Sequence, residues 1–315
     1  MEYFHPIKTI KKLIRIIICF VFVLFNSNIL TAQQKDTLYV QEYPHKWWVK
    51  YFVPNKMLTI QHEGISYNPT YPQNIGIGLG LRKIIGMNLL LSFSVFPLKT
   101  DTGLSSHITD FQMHKYGKKI LLDGYYQDYR GFFTQEGRPL EKKKYTLFPD
   151  LAVKRWGIDG TYVLRHKKLS LRAAFEQSER QLKSAGSLLF GAGIYYYHKL
   201  LPDMALQETI PTVFDNYQVG ANIGYAYSWV VSPNWLMAGM VSAGFNFGNN
   251  SQALAWHNLK AYPASIGRMT INYNRENWSF ALMGIFNNKV IYSSDPKPFV
   301  LFAPTTQLTI TRHIR

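Results

Sequence analysis

The chain is almost without cysteine: Cys19 is the only one in 315 residues, and it lies within an N-terminal apolar run. If that run is removed no thiol remains, which excludes disulfide and thiolate chemistry even in a compartment beyond the inner membrane that would tolerate disulfides. Charge is sparse as well. Asp, Glu, Lys and Arg make up 17% of the residues, below the roughly 25% of an ordinary soluble domain. After Ala32 no apolar run approaches the roughly 20 residues of a spanning helix, and no helix-period segment competes with the strand patterns described below. A chain of this kind can cross a bilayer only as a closed barrel, because lipid offers no partner to backbone N–H and C=O groups.

What is present points the same way. Lys8, Lys11, Lys12 and Arg15 precede the apolar run Ile16 to Phe25, and Leu30-Thr31-Ala32 offers a small residue for cleavage between Ala32 and Gln33. That is the layout of a secretory signal peptide. Because apolar residues continue from Phe20 to Phe25, Cys19 reads as part of the signal's apolar core, not as an acylation site. The expected organisation is a signal peptide over 1–32, an N-terminal extension over 33–56 and one β-barrel domain over 57–315, without an internal repeat or a second domain.

The clearest pattern is a hairpin. Tyr217, Val219, Ala221, Ile223, Tyr225, Tyr227, Trp229 and Val231 share one face of a strand, while Gln218, Gly220, Asn222, Gly224, Ala226 and Ser228 share the other. Ser232-Pro233-Asn234 turns the chain, and Trp235, Met237, Gly239, Val241, Ala243, Phe245 and Phe247 repeat the arrangement. Tyr217, Tyr225, Tyr227, Trp229, Trp235, Phe245 and Phe247 form an expected aromatic girdle around a lipid-facing band. Twenty-one tyrosines, 20 phenylalanines and 7 tryptophans supply many such positions.

Strands recur at the spacing of a meander: Met57–Ser66, Asn74–Arg82, Met87–Phe96, Ser105–Tyr116, Lys119–Phe132, Asp150–Arg165, Leu169–Glu176, Leu188–His198, Tyr217–Val231, Trp235–Phe247, Tyr262–Tyr273, Trp278–Phe286 and Phe299–Thr311. Bacterial single-chain barrels have even strand numbers. One assignment is therefore wrong, or the extended Trp47–Val53 adds a strand, and the expectation is an all-β, antiparallel up-and-down transmembrane barrel of about twelve strands, with ten to fourteen allowed. Short and long connections alternate as far as Leu169–Glu176, after which two long segments follow in succession. The missing or surplus strand is expected between Glu176 and Tyr217.

Formal charge is +16, and without residues 1–32 it is 31 basic against 18 acidic groups, or +13. The positives cluster at hinges such as Arg82-Lys83, Lys118-Lys119, Lys142-Lys143-Lys144 and Arg165-His166-Lys167-Lys168. Rim contacts to lipid head groups and lipopolysaccharide phosphates explain this more simply than nucleic acid does. Expected partners are therefore outer-membrane lipid, lipopolysaccharide and the barrel-assembly machinery, with no nucleic acid and no cofactor.

Inward glycines, among them Gly76, Gly78, Gly80, Gly191, Gly193, Gly220 and Gly224, have two readings: room for bulky neighbours such as Tyr195 and Tyr197, or a ligand cavity. Ser106, His107 and Asp110, with His114, Asp123 and Asp128 nearby, contain the groups of a hydrolase, but at a spacing that is not diagnostic. The remaining histidines lack paired metal-ligand spacing, and Gly76-Ile77-Gly78-Leu79-Gly80 lacks the helix of a phosphate loop. No catalytic, metal or cofactor site is assigned. The polar stretch from Phe175 to Ser187 is the least barrel-like, and Gln181, Lys183 and Ser184, with Gln218 and Asn222, are candidate lumen or constriction residues.

That stretch, together with Tyr67-Asn68-Pro69, Pro149-Asp150-Leu151 and Gly191-Ala192-Gly193-Ile194-Tyr195-Tyr196, resembles a bacterial family known as domain of unknown function 4421 across nearly all of the mature chain. The resemblance implies an outer-membrane barrel and assigns no activity. The ending Thr311-Arg312-His313-Ile314-Arg315 departs from the aromatic terminus usual in barrel assembly signals. The leading expectation is a non-enzymatic outer-membrane barrel for small-solute passage or envelope architecture. An outer-membrane hydrolase of lipid or peptide and a secreted soluble β-protein are the competing classes.

Overall fold

The computed structural model describes residues 36–45, 47–71, 73–81, 85–96, 103–136, 144–201, 212–250, 259–292 and 298–314. The predicted signal peptide and its cleavage point at Ala32 and Gln33 lie outside the described residues. Strands in chain order are β1 (Val40–Glu42), β2 (Trp47–Lys56), β3 (Thr59–His62), β4 (Ile65–Tyr67), β5 (Gln73–Leu81), β6 (Ile85–Phe96), β7 (His107–Tyr116), β8 (Ile120–Glu136), β9 (Lys144–Val163), β10 (Glu179–Gln181), β11 (Ala185–Leu201), β12 (Thr212–Val230), β13 (Trp235–Asn250), β14 (Lys260–Arg275), β15 (Trp278–Tyr292), β16 (Pro298–Phe302) and β17 (Thr305–Ile314).

Twelve of these form a closed antiparallel ring. β2, β5, β6, β7, β8, β9, β11, β12, β13, β14, β15 and β17 pair each with the next, and β17 returns to β2 through a ten-residue ladder from Thr305↔Lys56 to Ile314↔Trp47. The charged C-terminal residues therefore belong to the closing strand, where His313 faces inward against Ser279 at 2.9 Å. All wall connections at one end are short except the one spanning 164–184, and the start of β2 and the end of β17 lie at that same end.

Three sequence expectations are corrected. Leu169–Glu176 is not a wall strand: its apolar residues fill the lumen, and Arg172–Glu176 forms a π-helical turn. Met57–Ser66 is not in the wall either. It folds as the β3–β4 hairpin, turned by Glu63 and Gly64 at φ 51° and 80°, the left-handed pair that suits a tight hairpin. Of the thirteen expected strands these two leave the wall and one joins it, because Trp47–Lys56, placed within the N-terminal extension by sequence, supplies a wall strand, which gives twelve. The slip in loop phase comes from the same segment: the surplus strand is Leu169–Glu176 itself, inside the single connection between β9 and β11, and does not lie between Glu176 and Tyr217 as expected.

Alternation sorts the wall faces as expected. Val219, Ile223 and Val241 face outward in the middle of the hairpin, bordered by exposed Tyr217, Tyr225, Tyr227, Trp229, Trp235, Phe245 and Phe247. Val241 is 60% exposed, which in water would be an unusually large apolar surface and in lipid is the surface required. The inward glycines make room for side chains. A Cβ at Gly76 would fall 1.9 Å from the Phe52 ring across the β2–β5 pair, and one at Gly157 or Gly193 would meet Tyr195. At Gly131, φ 84°, a bulge shifts the β8 register, so that inward residues change from Tyr129 to Phe132.

Candidate functional site

Inside the wall the barrel has three layers. At the short-turn end a plug is made by two segments that reach each other only in space: β1 pairs with β10, Val40 opposite Gln181 and Glu42 opposite Glu179. Leu169, Leu171, Ala174 and Phe175 pack against inward Tyr116, Leu121, Leu189, Ala226 and Met240, with Phe175 stacked on Tyr116 at 5.8 Å. Buried apolar contact of this extent is the main stabilisation of the plug.

Charge orients it. Arg172 lies 3.2 Å from Glu176 and 3.1 Å from Glu179. Burial works to lower the Arg172 pKa, but the two carboxylates outweigh it and raise it. Ser170 donates to Glu179 at 2.5 Å, Ser178 to Glu176 at 2.6 Å, and Lys50 of the wall donates to the Glu176 carbonyl at 3.0 Å. Asn272 donates to the Ala174 carbonyl at 2.6 Å. A buried ion cluster survives only when its remaining oxygens and protons find partners in this way.

At the long-loop end, Leu58, Ile60 and Tyr67 from the β3–β4 hairpin join Tyr129, Phe132, Phe148, Tyr197 and Leu301 in a second apolar cluster. Between cluster and plug is a polar chamber with about 610 Å³ of open space, lined by Lys56, Asp110, His114, Asp123, Arg155 and Arg268 among others. A smaller space of about 490 Å³ shares Asp123, Asp159, Ile266, Arg268 and Asn287 with it and reaches Asn222 and Ser242. Asp123 is held by Arg268 and by His114 at 2.5 Å, and Arg268 also donates to Tyr116 at 3.1 Å. Lys56 lies 3.4 Å from Asp110, which accepts from Tyr129 at 2.9 Å.

The candidate residues separate by role. Gln181 is a structural tie: it donates to the carbonyls of Lys168 at 2.7 Å and Lys183 at 2.9 Å and accepts from the Ser170 amide at 2.9 Å. Ser184 accepts from the Val230 amide at 2.9 Å, and exposed Lys183 lies over the Tyr39 ring at 5.7 Å. None of the three lines the chamber. Gln218 belongs to an amide ladder, donating to Asn216 at 2.8 Å and accepting from Asn246 at 2.9 Å. Asn222 lines the smaller adjoining space.

Ser106, His107 and Asp110 are not assembled for hydrolysis. Strand alternation directs His107 away from the face that carries Asp110, and the Ser106 hydroxyl donates to the Gly131 carbonyl at 2.7 Å while accepting from the Thr70 amide at 2.8 Å. Among the described residues no three His, Cys, Asp or Glu side chains are grouped as metal ligands. The residues that sequence reading passed over are Arg155, Asp159, Arg268 and the Arg172 cluster. Their signal was charge at inward positions of strands whose outward neighbours, such as Trp156 and Ile158, are apolar.

Comparison with curated proteins gives no match. Among solved structures the chain is similar to OmpT, an outer membrane protein of Vibrio cholerae, at 8% identity and a TM-score of 0.30, covering 85% of this chain and 97% of that one. It is also similar to the Ralstonia pickettii toluene transporter TbuX at 9% identity and a TM-score of 0.28, covering 87% and 90%, and to the P. putida toluene transporter TodX at 8% and 0.28, covering 87% and 91%. A family-level match runs over residues 34–299, from the segment that leads into β1 to the start of β16, and thus over plug, chamber and almost the whole wall: the chain belongs to the family of the domain of unknown function DUF4421.

Proposed function

We propose that the protein is a non-enzymatic outer-membrane barrel that admits a small polar solute into its chamber and is closed toward the periplasm by its own plug. The carrying observation is that the short-turn end, which in such barrels faces the periplasm, is filled by a docked segment in which Arg172 pairs with Glu176 and Glu179 and whose Glu176 carbonyl accepts from Lys50 of the wall. A purely architectural barrel needs no polar chamber behind such a closure. Export by the signal over 1–32, assembly by the barrel-assembly machinery, and rim contacts of the basic hinges with lipid and lipopolysaccharide complete the reading. The hydrolase alternative is less favoured because Ser106 is engaged with Gly131 and Thr70, away from the His114–Asp123 pair in the chamber, and the apolar outer face argues against a soluble β-protein.

Planar-bilayer conductance of detergent-folded protein, first checked for heat-modifiable gel migration, tests the proposal. The wild type is expected to insert silently or with rare openings, and Arg172→Ala combined with Phe175→Ala to give discrete, salt-dependent steps. Constant wild-type conductance would remove the closure from the proposal. Silence in both inserted proteins would overturn passage and leave architecture.

A further inference from the structure

The chamber is lined by three cations that are not equivalent. Lys56 is paired with Asp110 and Arg268 with Asp123. Arg155, only 3% exposed, has no carboxylate within ion-pair distance among the described residues. Its Nε donates to Gln127 at 2.6 Å, and its guanidinium lies 5.4 Å from the Tyr125 ring centre. A neutral amide and a ring face recover only part of the several kcal/mol lost in taking a guanidinium out of water. The chamber's third acid, Asp159, stands four residues along the same strand, about 13 Å away at ~3.3 Å per residue, where it accepts from Tyr195.

Arg155 is thus a desolvated cation facing an open space, with its fork of remaining N–H donors free of any carboxylate partner. The surroundings favour a particular kind of guest. Tyr125, Tyr129, Gln112, Gln127 and Asn287 line the same space and offer hydroxyl and amide groups. The cavity proper is small, about 50 Å³, so what it would receive is the charged head of a small molecule, with the remainder in the open space around it. In the adjoining space, Arg268 Nε and Asn222 Oδ1 are buried without a hydrogen-bond partner among the described residues.

We propose that the chamber binds the oxyanion of a small polar molecule, a carboxylate or a phosphate monoester, with Arg155 as its two-pronged seat. This rests on the reading that a solute enters the chamber and names its chemical class. Isothermal titration calorimetry of the detergent-folded full mature chain tests it with acetate, gluconate, inorganic phosphate and glucose 6-phosphate as probes, and glucose and glucosamine as uncharged and cationic controls. At least one anion is expected to bind saturably at one site, at least tenfold more weakly in Arg155→Gln, while the controls do not bind. Carboxylate and phosphate probes identify which oxyanion is preferred.

Absence of saturable binding by every anion in the wild type would overturn the proposal without reference to any variant. So would equal binding of glucosamine, or anion binding unchanged in a folded Arg155→Gln. Arg155→Lys, which keeps the charge and loses the fork, is expected to fall between the two. Because the titration does not depend on passage, anion binding together with silence of both the wild type and the plug variant in the bilayer would leave the seat standing and overturn only the transport reading.

Discussion

The plug and the chamber are built on the same alternating strands, yet they treat buried charge in opposite ways. In the plug, Arg172 meets two carboxylates, each of which also accepts from a serine, and an apolar cluster excludes water around them. In the chamber, Arg155 meets an amide and a ring beside open space. Full pairing holds a segment in place, whereas incomplete pairing leaves affinity for something that enters. On the proposed reading, that difference is what separates a closure from a binding site within one lumen.

The sharpest way to break the comparison is Arg172→Ala. Removing one partner strands two buried carboxylates and is expected to cost about 3–5 kcal/mol of plug docking. Hydrogen exchange at the Leu182 amide, which donates to the Tyr39 carbonyl at 2.7 Å, should accelerate at least a hundredfold, while the wall keeps its heat-modifiable migration. Equal protection in the variant would show that apolar packing alone holds the plug.

Outside the lumen, Val241→Arg is expected to lose about 2–4 kcal/mol when unfolded in phospholipid vesicles, the cost of a cation near the middle of the lipid-facing band. A loss near zero would mean that this surface is not bathed in lipid. Gly76→Val should cost about 1–3 kcal/mol by overpacking Phe52, and the double variant with Phe52→Ala should cost less than the sum of the single ones. Strict additivity would point to strand curvature as the reason for glycine. The smallest effect belongs to Lys118→Ala: its pair with Glu42, 3.5 Å apart and both partly exposed, is expected to contribute no more than about 1 kcal/mol to plug stability.

How much of this was legible in sequence varies from element to element. The hairpin β12–β13 was readable almost residue by residue, because Tyr217 to Trp229 and Trp235 to Phe247 alternate against a lipid boundary that rewards nothing else. Leu169, Leu171, Ala173 and Phe175 alternate just as well, and they were misread as wall. Met57–Ser66 was misread for the same reason. Gln181 stands out in the sequence as part of a polar stretch, but its three hydrogen bonds, which make it a tie within the plug, are not announced by the stretch itself. Arg155 and Arg268 drew no notice, since a lone charge in an alternating strand has no local partner to announce it.

By itself the sequence determined the all-β antiparallel class, the face of most strands that is turned outward, the aromatic margins and the ring of about twelve strands, all of which follow from a period of two and from the need to satisfy backbone groups in lipid. Only the tertiary structure decided which alternating segments are wall and which are filling, that β1 reaches β10, and which buried cations are paired. Alternation records that a residue leaves water; it does not record whether lipid, a neighbouring side chain or an internal chamber receives it, and that is set by contacts between residues far apart in the chain.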